Sequence, residues 1–123
     1  MARPTTELNA NALDALFKLH AEMCKVFSHP ARLQILNTLR EQEMSVSELA
    51  RRLGLPVGNL SQHLNMMKQR RVLMSRKEAN SVCYRLANPK VLKAFDLIRE
   101  ILLEQIKRDG VFARDVQRAR ARL

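Results

Sequence analysis

A mainly α-helical domain with one small β-hairpin is the fold this sequence predicts, and three observations carry the prediction. Apolar residues recur at three- and four-residue spacing through most of the chain, the period of an amphipathic helix. One stretch, Val72 to Leu86, instead reads as two short strands around a turn. Helix-start signals recur at Ser28-His29-Pro30, at Ser45 to Glu48 and at Asn88-Pro89. In each, a capping side chain or a proline at the first helical position opens a helix.

In chain order, MARPTTELNAN is polar, and residues 1–9 read as a flexible lead-in. The first helix carries Leu13, Leu16, Phe17, His20, Met23, Cys24 and Phe27 along one face. A second, opened by Ser28-His29-Pro30, runs through Ile35, Leu36 and Leu39. Ser45 and Glu48 form a capping box for the third: the Ser hydroxyl accepts from the first-turn backbone while Glu48 reaches back. Leu49, Ala50 and Leu53 give that helix a short apolar face, and Gly54 stops it where a left-handed residue is cheap. A fourth helix faces Leu60, Leu64 and Met67 inward, and the small Ala50 with Gly54 four residues later suits two closely crossed helices.

Val72, Leu73 and Met74 then form a short strand, Glu78 to Ser81 a turn, and Val82 to Leu86 a returning strand with Val82, Tyr84 and Leu86 on one face. Asn88-Pro89 opens a long final helix with Val91, Leu92, Phe95, Ile98, Leu102 and Ile106 inward. Residues 10–108 therefore read as one domain. Residues 109–123 form a basic tail with four Arg, either a separate helix or frayed.

With 123 residues the chain has room for one core. Its 22 Lys+Arg against 12 Asp+Glu leave a formal charge of +10, which points to a polyanionic partner. Five basic residues (Lys68, Arg70, Arg71, Arg76, Lys77) and no acidic one lie between positions 68 and 77. A cationic ribbon directly after two crossed helices suits phosphates or the minor groove beside a major-groove helix. Aromatic content is 4%, with one Tyr and no Trp, so stacking platforms for single strands are poorly supplied and duplex DNA fits better. No long uncharged span or signal-like segment is found, so no membrane partner is expected, and a cytoplasmic, nucleoid-associated location is. Nor is there a Gly-rich phosphate loop, a His-Asp-Ser neighbourhood or a paired acid, and no enzyme is expected.

SHPARLQILNTL, MSVSELARRLGL, LSQHLNMM and the hairpin ending VCYRL resemble the ArsR/SmtB family of bacterial winged helix-turn-helix repressors. The resemblance covers about residues 10 to 106, in the family's order and spacing. It implies a homodimer held by the first and last helices, with two recognition helices entering successive major grooves of an inverted repeat. It also implies release from that operator when an effector binds. The apolar surface of the outer helices is consistent with isologous pairing.

The first two turns of a recognition helix face base edges. Asn59 and Gln62 are the foremost readers, because their amides can pair bidentately with adenine. Ser61, His63, Asn65 and Lys68 complete the helix's candidate contacts, and Arg76 and Lys77 those of the hairpin wing. His63 reads equally as a structural hydrogen-bonding residue. The family's usual Ser-Gln start is replaced here by Pro56-Val57 with Gly58 following, which removes a side-chain cap and one polar reader. The operator sequence stays open for that reason.

The family's two best-known metal sites are absent. Ser45 and Ser47 stand where arsenic sensors carry a Cys-x-Cys pair, and the last helix has no His. Its Asp96, Glu100 and Glu104 read as a solvated face beside Lys93 and Arg99. Hence no metal ligand and no cofactor are assigned. Cys24 and Cys83 are the candidate effector residues for redox or reactive-sulfur chemistry. Alternatively both pack as small hydrophobes; Cys24 lies on an apolar stripe, and Cys83 is expected to be partly exposed. Two further readings stand beside a thiol sensor: a metal-responsive repressor with a Cys/His site built from His20 and Cys24, and a constitutive nucleoid-like DNA binder without effector.

Overall fold

Side-chain caps from His29 and Ser45 mark where two of the helices begin. The computed structural model describes residues 5–109 and 112–121, in two compact units, Met1–Asn88 and Pro89–Leu123. The unit boundary falls at Asn88-Pro89, inside the 10–108 span expected as one domain. In the first unit α1 (Thr5–Cys24) runs into a 3₁₀ turn (Lys25–Phe27) and then α2 (Pro30–Thr38). The imidazole Nδ1 of His29 caps α2 by accepting from the Ala31 N–H at 3.1 Å, with Pro30 at the first helical position. Thr5 to Asn9, expected as lead-in, already belong to α1. The run of Ala and Leu after them extends the helix outward, because neither loses much freedom in helical geometry.

Strand β1 (Met44–Ser45) precedes α3 (Val46–Leu53), whose N-terminus Ser45 Oγ caps by accepting from the Glu48 N–H at 3.2 Å. The Glu48 carboxylate faces Arg52 at 3.9 Å, where a reciprocal bond back to Ser45 was expected. Gly54 closes α3 at φ 65°, a left-handed conformation that costs a glycine little. After α4 (Val57–Gln69), strands β2 (Leu73–Glu78) and β3 (Ser81–Leu86) form the hairpin. The sheet order is β1-β3-β2, all antiparallel, with Met44 opposite Tyr84 and Ser75 also opposite Tyr84. β1 is too short to show in a sequence pattern, yet it makes β3 the central strand.

The first unit's core holds Val26, Ile35, Leu36, Leu49, Leu60, Leu64 and Met67, each fully buried, with Leu39, Met44, Val72, Leu73 and Tyr84 nearly so. The inward face expected for the fourth helix is thus the one found. In the second unit α5 (Lys90–Arg108) precedes α6 (Phe112–Ala121). Phe95 is buried and the Arg99 guanidinium lies 4.3 Å from its ring centre. Ile98 and Leu102, expected inward, are 55% and 52% exposed, and Leu13, Leu16 and Phe17 of α1 are exposed as well. The amphipathic period of these two helices is real, but a single chain leaves their apolar faces uncovered.

Candidate nucleic-acid interface

Helix α4 turns about 100° per residue, which sorts its side chains into arcs. Leu60, Leu64 and Met67 occupy the buried arc. Gln62, Asn65 and Gln69 lie diametrically opposite and are exposed, with Asn59 on the flank of that arc. Asn59, Gln62 and Asn65 therefore present three carboxamides outward in the first half of the helix and just past it. Each carries both donors and an acceptor, the pattern that pairs with adenine in the major groove. Gln69, the last residue of α4, instead lines a cavity with Leu19, Glu22 and Met23 of α1 and lies beyond the turns that face base edges. Ser61, half-buried, and Lys68, exposed, flank the arc on its other side.

His63 does not face outward. Its ring stacks against His29 at a centroid distance of 4.5 Å, tilted by 48°. Burial holds the His63 imidazole below its ordinary pKa, and the nearby His29 and Arg32 charges push the same way. A neutral ring packed on the residue that caps α2 has a structural part, so the DNA contact expected of His63 does not match its placement. At the start of α4, Pro56 supplies no side-chain cap. A Cβ at Gly58 would meet nothing within 4 Å, so packing does not demand glycine there.

In the wing, Lys77 is exposed beside the tip, but Arg76 is tied down. Its Nε donates to both carboxylate oxygens of Glu43, at 2.8 and 2.9 Å, and its Nη2 to Glu78 at 2.9 Å. The Arg76 hydrogen bond holds the Glu43 carboxyl below the usual range, and Arg76 itself is pushed above the usual guanidinium value, first by its hydrogen bond to Glu43. Arg76, expected on phosphate, is instead bound within the chain: Glu43 lies far away in sequence and only β1–β3 pairing brings it near. Arg85, opposite Met74 and exposed, is a wing cation that sequence reasoning passed over.

The two cysteines are free and their settings are the reverse of those expected. Cys24, at the end of α1, is exposed; Cys83 is buried. Central placement of β3 explains the second, since Cys83 is flanked by Ser45 on β1 and Arg76 on β2. Directly opposed residues share a sheet face, so Cys83 lies under the Arg76 ion pairs, its Sγ 4.0 Å from a Glu78 oxygen. Ligand atoms of Glu43, Glu78 and Cys83 fall within 4.8 Å of one another. Arg76 already donates hydrogen bonds to both carboxylates, however, so these oxygens have a partner without a metal ion. His20, the proposed partner of Cys24, is exposed.

Comparison with known proteins bears on this surface. A family model described as bacterial regulatory protein, arsR family, matches residues 29–74, from the α2 cap through α4 into β2. The uncharacterized HTH-type transcriptional regulator Rv0081 of Mycobacterium tuberculosis is 37% identical over 90 residues, covering 72% of this chain and 79% of that protein. Its crystal structure superposes with a TM-score of 0.70 at 34% identity, covering 78% of this chain and 97% of the other. The biofilm growth-associated repressor of Xylella fastidiosa is 31% identical over 107 residues, 87% of this chain and 88% of that one. A homodimeric winged helix-turn-helix DNA-binding domain, Mb0332 of Mycobacterium bovis, has a TM-score of 0.70 at 26% identity over 80% of this chain and 91% of the other.

Proposed function

The chain belongs to the ArsR family of bacterial regulatory proteins and is a winged helix-turn-helix transcriptional regulator, and from that premise we propose that it is a homodimeric repressor reading an inverted repeat in duplex DNA. The observation that carries the reading is the outward carboxamide arc of α4, with Asn59, Gln62 and Asn65 exposed away from a fully buried face. Lys68, Lys77 and Arg85 supply exposed cations for phosphates around it. Arg114, Arg118 and Arg120 of α6 are exposed too and add sequence-independent attraction to the same polyanion.

Dimerisation follows from uncovered apolar surface. Leu13 and Phe17, one turn apart on α1, are 51% and 63% exposed, and Leu97 and Ile101, one turn apart on α5, are 59% and 56% exposed. Water-facing stripes of that kind favour a second copy of the same chain, and the similar Mb0332 domain is homodimeric. Release from DNA is assigned to thiol chemistry that starts at Cys24, the accessible sulfur, with Cys83 as the buried second thiol. No helix among the described residues is long and apolar enough to cross a membrane. A regulator of this kind works in the cytoplasm because the duplex it reads is there.

Fluorescence anisotropy with the DNA upstream of its own gene and with a scrambled duplex of equal length tests the reading. Preference for the upstream duplex by about a thousandfold or more at physiological salt is expected of a specific regulator. Equal binding to both, with a steep salt dependence, would make it a nucleoid-like binder instead.

A further inference from the structure

Buried contacts hold α4 in the first unit, but they leave its direction soft, since packed helices slide and rotate by small amounts. A polar fork at its end does not. Arg70 caps the C-terminus of α4, and its side chain reaches back 48 residues to the last turn of α1. There Nε donates to the main-chain carbonyl oxygen of Glu22 at 3.1 Å, while Nη2 meets the Glu22 carboxylate. A helix's last carbonyls have no partners within it, so the first bond supplies one. Two bonds from one planar guanidinium set an angle as well as a distance. Glu22 is itself braced by Lys25 Nζ at 2.9 Å.

We propose that Arg70 is a positioning residue for DNA recognition: its fork onto Glu22 sets the attitude of α4 against α1, and thereby the operator half-site spacing the dimer accepts. The inference rests on the dimeric DNA-binding reading, in which α1 carries part of the apolar face joining two copies. Each recognition helix is then referred through Arg70 to the dimer frame, and a small rotation of α4 changes the separation of the two probes. The base-reading arc is untouched by this device. Arg70 selects how far apart the half-sites lie, and the carboxamides select what they contain.

Binding of the full chain is measured on duplexes whose half-sites are moved apart or together by one and two base pairs, and on a duplex with a single half-site. The wild type is expected to lose about tenfold in affinity for a one-base-pair change, within the usual range of coupling between sites. Arg70→Met and Glu22→Gln should each compress that loss to within about threefold, with single-half-site affinity within about twofold of wild type. Thermal unfolding and mass measurements confirm that both variants remain folded and dimeric; if Arg70→Met fails there, Glu22→Gln alone decides. If Arg70 were a phosphate contact, Arg70→Met would weaken every duplex alike while Glu22→Gln, freeing the guanidinium, tightened them; that result overturns the proposal. Spacing preference unchanged in the variants overturns it as well and leaves the DNA reading standing. A wild type indifferent to sequence would overturn the reading beneath it.

Discussion

Replacing Gln62 by Ala isolates base reading from everything else the protein does. Gln62 is exposed at the centre of the outward arc of α4, and among the described residues no side-chain hydrogen bond or ion pair holds it in place. Its removal should therefore change folding stability by no more than about 0.5 kcal/mol. On DNA the loss is larger, because a bidentate amide–adenine pair discriminates by about 1–3 kcal/mol. A dimer presents the residue twice, so about 2–6 kcal/mol is at stake. The lower end already corresponds to about 30-fold in Kd. Anisotropy titration of operator and scrambled duplex at one salt concentration reads the effect. Operator affinity should fall by at least that factor while scrambled-duplex affinity stays within about twofold. Equal weakening on both duplexes would show that Gln62 serves the backbone and that the carboxamide arc does not read sequence.

Other expectations follow from single positions. Arg71 sits at φ 61°, a left-handed conformation costing a side-chain-bearing residue about 1–2 kcal/mol, so Arg71→Gly should raise Tm by a few degrees in calorimetry despite glycine's greater unfolded freedom. Because His63 has a lowered pKa in the fold, its neutral form contributes stability that is fully present above about pH 6.5 and is lost as pH falls toward the lowered value. His63→Gln should accordingly make the acid-side fall in Tm shallower, and an unchanged profile would remove His63 from the acid response. A chromogenic disulfide reagent should label one thiol rapidly, lost in Cys24→Ser, and reach Cys83 only on unfolding. Rapid labelling in the Cys24→Ser variant would contradict the burial of Cys83.

Much of the fold could be read because its signals are local. The Ser45 cap, Gly54 at φ 65° and the Leu60, Leu64 and Met67 spacing each act within one or two helical turns, and each is where the sequence pattern puts it. Asn59, Gln62 and Asn65, the carboxamides proposed to read bases, are exposed, as a place in the early turns of a recognition helix requires. What escaped was decided by residues distant in sequence. His63 meets His29 only because α4 crosses the start of α2. Arg76 looks like a free cation until β1 brings Glu43 alongside. A two-residue strand has no periodicity to detect, and without it Cys83, facing away from Val82 and Tyr84, is expected to be partly exposed. The apolar residues Ile98 and Leu102 were correctly seen as a stripe, but periodicity states that a face is apolar and not what covers it.

Nuclease or hydroxyl-radical protection of the DNA upstream of its own gene bears most directly on the idea of paired recognition helices meeting one face of a duplex. Two protected segments related by a dyad, centred about one helical turn of 10–10.5 base pairs or a multiple apart, are expected. Protection without boundaries across the fragment, or a single unpaired segment, would contradict it.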